Sequence, residues 1–308
     1  MKKIFAILFS VFIAFNANGA TLINDTEIEK KITEIILPVA RAADIPEKRL
    51  KVYIVNDDDF NAFVRGGEDV FVYTGLLKQI KNPNALRAVV AHELGHTIGG
   101  HMVQISARMH DEMVRTMIIQ ALGVGLMVAG GNPNAGMGVM AGASGIAQQS
   151  LLSFSRDEER MADDMAVDLM VKSNQNPNGL IEVFEQMRDI TGEFEKKVNP
   201  NRINHPLTSE RINNAKTKIS KLKNVPKKNK SVTAQENSEY EMLRAKLIGY
   251  LNSDKNVITQ YPYSNKSDAA IYARAIANMR GGDLATAKTG TQTFMSLEWQ
   301  ADRFVLGG

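Results

Sequence analysis

The 308-residue sequence contains no cysteine, a single tryptophan and only five histidines. Without cysteine there is no disulfide framework, no thiolate ligand and no thiol for a lipid anchor. Any metal must therefore be held by histidine and carboxylate. Charge of one sign is also scarce. Lys and Arg number 37 against 34 Asp and Glu, and setting Lys2 and Lys3 aside leaves a net charge of about +1. Such a balance does not ask for nucleic acid. The lysines at 216, 218, 221, 223, 227, 228 and 230 lack the interleaved aromatics that stack bases and read as a solvated linker. Long apolar runs are missing too. Ile4 to Phe15 falls short of the ~20 residues that span a bilayer. The glycine-rich stretch from Met117 to Phe154 is broken at 130–134, which favours two packed helices over a hairpin in lipid and leaves peripheral membrane contact open.

What remains is an ordinary globular composition, 44% hydrophobic and 23% charged, in a chain suited to one enzyme-sized domain and a smaller companion. Lys2-Lys3, the short apolar run and the small residues ending at Ala20 have the layout of a secretory signal peptide, which predicts export to the periplasm. A peptidase-sized domain is expected over 21–223, a lysine-, asparagine- and serine-rich linker over 224–238, and a short helical domain over 239–308.

Ile28, Ile32, Ile35, Ile36 and Val39 recur at helical spacing and predict a helix over 27–43 with one buried face. Strands are expected at 51–55 and 70–73, joined through the turn residues Arg65-Gly66-Gly67. Asn82-Pro83 starts a helix, by capping and by proline at the first helical position, and no breaker follows until Gly99-Gly100. Further helices are predicted over 155–171, from Asn176-Pro177, over 206–222, and in the tail over 239–251, 268–279 and 283–297.

His92-Glu93-Leu94-Gly95-His96 is an H-E-x-x-H motif on the helix that starts at Pro83. Spacing of i, i+4 puts both imidazoles on one face, and Glu93 beside them reaches the position where a water is activated. The motif also occurs by chance, so a third ligand decides the matter. Glu159 is the leading candidate, with Asp163 one turn on to hold a ligand histidine by its other nitrogen. Spacing alone separates Glu159 only weakly from Glu158. His101 competes but lacks the longer spacer of metzincins, and His110 has no partner pattern.

Several separate motifs agree in order and spacing: Asn61-Ala-Phe-Val-Arg-Gly-Gly67, Thr74-Gly-Leu-Leu77, Ala91 to His101, Ser155-Arg156 with Glu159 and Ala162-Asp163, and His205-Pro206 with Arg211. Across roughly Ile28 to Leu222 the chain resembles the periplasmic BepA type of gluzincin zinc metallopeptidase, relatives of HtpX. The resemblance implies an α+β, zincin-like, mostly helical peptidase domain with a small sheet. It implies Zn2+ held by His92, His96 and Glu159, Glu93 as general base, Asp163 and Arg211 supporting the ligands, and His205 over the cleft. It further implies that Val70 to Tyr73 is an edge strand that receives an extended substrate. The tail resembles tetratricopeptide repeats, though it stops early, and Arg65 stands where a small residue is common. The implied activity is endoproteolysis of unfolded or misassembled envelope proteins, with outer-membrane assembly machinery as a partner. A chaperone or scaffold with a latent metal site is the rival reading.

Overall fold

In a computed structural model, the structure describes residues 21–101, 104, 107, 110–111, 113–120, 137, 156–194, 205, 207–223, 225–226, 232–283 and 286–287. The expected signal peptide, most of the 117–154 stretch, much of the linker and nearly all of the 283–297 helix lie outside these residues. Among the described residues no helix is long and apolar enough to cross a membrane.

Helix α1 (Thr26–Ala42) is capped by Asp25, whose carboxylate accepts from the backbone N–H groups of Glu27 and Ile28. Its five periodic apolar residues are all buried, as their spacing predicts. The sheet holds four strands, β1 (Thr21–Ile23), β2 (Lys51–Asn56), β3 (Ala62–Arg65) and β4 (Asp69–Tyr73), in the order β1-β2-β4-β3. Strands β2 and β4 are parallel neighbours, and β3 pairs antiparallel with β4. The Gly66-Gly67 turn thus joins β3 to β4, and β3 is a strand that local alternation does not reveal.

This order corrects one expectation. Val70 to Tyr73 is not an edge strand, because β4 is hydrogen-bonded on both sides. Its Val70, Phe71 and Val72 are all buried, the continuous apolar pattern of a strand inside a sheet rather than at its rim. The edge on this side is β3, which packs against the helix of the histidine motif. There Arg65 lays its guanidinium over the Phe71 ring, 5.0 Å from the centroid, and pairs with Asp69 at 3.6 Å.

After the short α2 (Thr74–Gln79), helix α3 (Pro83–Ile98) runs through the middle of the molecule. Asn82 caps it by accepting from Ala85 N at 2.9 Å, Pro83 opens it, and Gly99 ends it, all as the sequence predicts. Every residue from Pro83 to Gly95 is buried. Helix α4 follows through residues 156–172, then α5 (Asn178–Phe194) and α6 (Ser209–Ser220). The cap of α6 is Thr208, so this helix begins after the predicted start at Pro206.

The tail comprises α7 (Ala234–Leu251), α8 (Asp254–Gln260) and α9 (Asp268–Arg280). Helix α7 has two apolar faces. Tyr240, Leu243 and Leu247 belong to the core built on α1, the sheet and α3, while Met242, Ala245 and Ile248 join α8 and α9 in a second core. Charged pairs line the first seam, with Lys31 to Glu239 at 2.9 Å, Lys246 to Glu27 at 2.7 Å, and Arg87 bonded to Glu236. Removing the buried Leu243 side chain is therefore expected to destabilise the whole peptidase unit. Leu243→Ala should lower its unfolding free energy by ~2–5 kcal/mol in urea denaturation. The half-exposed Ile258→Ala should change it by less than ~0.5 kcal/mol, and equal losses would show that α7 is not part of the first core.

Candidate metal centre

Two helices build the site because they pass unusually close. A Cβ on Gly95 would lie 2.8 Å from the Ala162 carbonyl oxygen and 3.0 Å from Ala162 Cα. Glycine between the two motif histidines therefore lets α4 press against α3. That contact carries Glu159 and Asp163 of α4 to His92 and His96 of α3. The segment before α6 adds His205, and α6 itself adds Arg211.

The donor atoms converge. His92 Nε2 and His96 Nε2 are 3.1 Å apart, and each lies 3.4 Å from a Glu159 carboxylate oxygen. His205 Nδ1 is 2.6 Å from Glu159 Oε1, and its Nε2 is 3.6 Å from Glu93 Oε1. One ligand atom from each of His92, His96, Glu159 and His205 lies within 4.8 Å of the others. Glu158 is buried too but falls outside this group. His110 is exposed and also falls outside this group, with its ring nitrogen 3.9 Å from Asp111.

Around these atoms the charges are ordered. Arg211 Nε and Nη2 donate to the two oxygens of Asp163, both at 2.8 Å, and Arg211 Nη1 reaches Glu159 Oε2 at 2.8 Å. The guanidinium rests over Phe184, 5.2 Å from the ring centroid. A bidentate pair of this kind fixes Asp163 in direction as well as position. Asp163 Oδ1 in turn lies 2.9 Å from His92 Nδ1. The approach is off the ring's donor axis, since Nδ1 makes no hydrogen bond of good geometry, yet distance and charge mark the carboxylate as its partner.

Burial disfavours protonation of His92, but the carboxylates of Asp163 and Glu159 outweigh it and push the imidazole up to about 10. Burial wins at His96, which is pushed down to about 4. Burial also raises Glu93 above the ordinary carboxylate range, against the pull of His205 and His92. Glu159 goes the other way, because hydrogen bonds from His205, His92 and His96 outweigh the cost of burying its charge. Arg211 and His92 likewise hold Asp163 below the usual range.

This donor set fits a divalent cation such as zinc. Two imidazole nitrogens facing each other at 3.1 Å beside a buried carboxylate are a repulsive arrangement for neutral rings unless a proton or a cation lies between them. With Asp163 beside Nδ1 of His92, the lone pair of that ring is directed to the shared side.

Beside the cluster opens a cleft of about 490 Å³, open solvent included, lined by Asn61 and Ala62 where β3 begins, by Leu180, Val183 and Phe184 of α5, and by His92, Glu93, His205 and Arg211. Asn61 and Ala62 belong to a motif of the family resemblance, but no role at the cleft is read for them from the sequence. The position of His101 was also hidden: it stands outside the ligand group but 2.8 Å from His96 Nδ1.

The chain is similar to proteins with known names. The beta-barrel assembly-enhancing protease of Escherichia coli (strain K12) is 23% identical over 289 residues, covering 91% of this chain and 57% of that protein. The protein of the same name from Yersinia pestis is 25% identical over 243 residues, 78% of this chain and 48% of its own length. The mitochondrial metalloendopeptidase OMA1 of Schizosaccharomyces pombe is 25% identical over 182 residues, 59% of this chain and 50% of that protein. The chain thus spans about half the length of the curated relatives it matches. Peptidase family M48 matches over residues 26–219, a span that encloses every member of the converging cluster. By that match the chain belongs to peptidase family M48.

Proposed function

We propose that the chain is a zinc-dependent endopeptidase of the cell envelope that cleaves unfolded or misassembled envelope proteins. The observation that carries this reading is the convergence of His92, His96, Glu159 and His205 beside the buried Glu93. His92, His96 and Glu159 hold the metal, and Asp163 and Arg211 hold the ligands. Bound zinc supplies a Lewis acid that acidifies a water and polarises the scissile carbonyl. Glu93 takes the proton of the attacking water and passes it to the leaving amine, a role favoured by a carboxylate raised by burial. An extended substrate adds to the side of β3 that no strand pairs among the described residues, next to Asn61 and Ala62, and so runs past Glu93 along the cleft. Its backbone supplies the pairing, which suits clients whose native structure is lost.

His205 approaches both Glu159 and Glu93, and in this reading it is the gate of the site, taking the position a substrate carbonyl or water needs. Export to the periplasm, a tetratricopeptide-like tail and contact with the outer-membrane assembly machinery belong to the same proposal. They rest on the signal-like leader, the helical tail and the names of the relatives. A pure scaffold has no use for a base buried beside three metal donors.

Casein digestion tests the activity. Protein beginning at Thr21 is expected to digest casein, to lose that activity with a chelator and to regain it with zinc. Full activity in the chelated protein would remove metal chemistry from the account.

A further inference from the structure

We propose that His101 is a positioning residue for the metal centre, accepting the Nδ1 proton of His96 so that Nε2 of His96 is presented to the metal. This rests on the metal-binding reading above and names the device that orients its second histidine. His96 turns Nε2 toward His92 and Glu159, so its proton belongs on Nδ1. The atom facing Nδ1 is His101 Nδ1 at 2.8 Å, with the ring planes 80° apart and centroids 4.9 Å apart. For that contact to be a hydrogen bond, His101 must offer its Nδ1 lone pair and carry its own proton on Nε2.

The chain is shaped to put the ring there. Helix α3 ends at Ile98, and Gly100 has φ of 65°, which turns His101 back over the end of the helix. At Gly99 a Cβ would lie 2.2 Å from His101 Nε2 and 2.7 Å from Cδ2, so only glycine leaves room for the ring. His101 is 3% exposed, and its Nε2 is buried without a hydrogen-bond partner. The contact with His96 is thus the polar interaction this buried ring makes among the described residues. The two ligand histidines are held differently: His92 faces a carboxylate, His96 an imidazole. Orienting partners of this kind typically contribute 10- to 100-fold to metal affinity.

The test is zinc affinity of the full chain, measured by competition with a chromophoric chelator, together with the visible spectrum of the cobalt-loaded protein. His101→Ala and His101→Phe should each weaken zinc by ~10- to 100-fold and shift the cobalt bands, because phenylalanine keeps the ring's volume but accepts no proton. His101→Gln, whose carbonyl can accept from Nδ1, should restore most of the affinity. Gly99→Ala should weaken zinc in the native background and add little on top of His101→Ala. Native affinity in His101→Phe would overturn the proposal and make the residue a packing element. Wild-type protein that takes up no zinc would overturn both this inference and the reading beneath it, whereas zinc-bound wild type with unaffected variants would overturn the inference alone.

Discussion

Replacing Glu93 by Gln is expected to leave zinc in place and to lower casein turnover by ~10²-fold or more. Glutamine keeps the shape of the side chain but offers no base. Glu93 is buried at the cleft wall, close to His92 and His205 without belonging to the donor group. In the proposed mechanism, removing its charge deletes proton transfer while sparing the ligands. Burial holds this carboxyl above its ordinary range, nearer the working pH, where a general base is most effective. The loss should appear in kcat, with KM little changed, since an interaction needed only in the transition state does not alter ground-state binding. Unchanged cleavage by the zinc-loaded variant would end the general-base assignment.

The second large effect is expected at His205, and its sign separates two mechanisms. Its Nδ1 is 2.6 Å from Glu159 Oε1 and its Nε2 is 3.6 Å from Glu93 Oε1. In the proposed reading, a ring held between these carboxylates stands in the space that water and the scissile carbonyl would enter. If the ring closes the site, apparent activity is reduced to the fraction of molecules in which it has swung away. His205→Ala should then raise casein turnover, by about tenfold if the site is open about one-tenth of the time, with zinc retained. A donor to the developing oxyanion predicts the reverse, a fall of ~10²-fold in kcat. A fall of that size would replace gating by transition-state stabilisation, and no change in either turnover or zinc affinity would take His205 out of the mechanism.

Local chemistry explains what the sequence disclosed. The cap at Asn82, the proline after it and the stop at Gly99 are decided within one turn of helix. The result is that the motif histidines sit on α3 as their spacing predicts. The buried face of α1 follows from periodicity in the same way. Long-range placement was hidden wherever it depends on residues far apart in the chain. Arg211 meets Asp163 across 48 positions and His205 meets Glu159 across 46, and only the agreement of separated motifs pointed to those meetings. Strand β3 is not read from its four residues, and the edge that the family resemblance implies for Val70 to Tyr73 falls on β3 instead, because β4 pairs on both sides. The lysine-rich 224–238 segment reads as a linker, yet α7 begins within it at Ala234 and carries one face into the core of α1 and α3, because Tyr240, Leu243 and Leu247 share a stripe distinct from the one facing α9. Gly95 carries no local signal of its role. Its importance lies in the approach of Ala162 from another helix.

The most direct test of the account is elemental analysis of purified protein, three ligand variants and one control variant. Wild-type protein and Glu158→Ala should each hold about one zinc per chain, while His92→Ala, His96→Ala and Glu159→Ala should each lose it, since two imidazoles and one carboxylate make up a catalytic ligand set. Full zinc in Glu159→Ala together with its loss from Glu158→Ala would contradict the proposed centre.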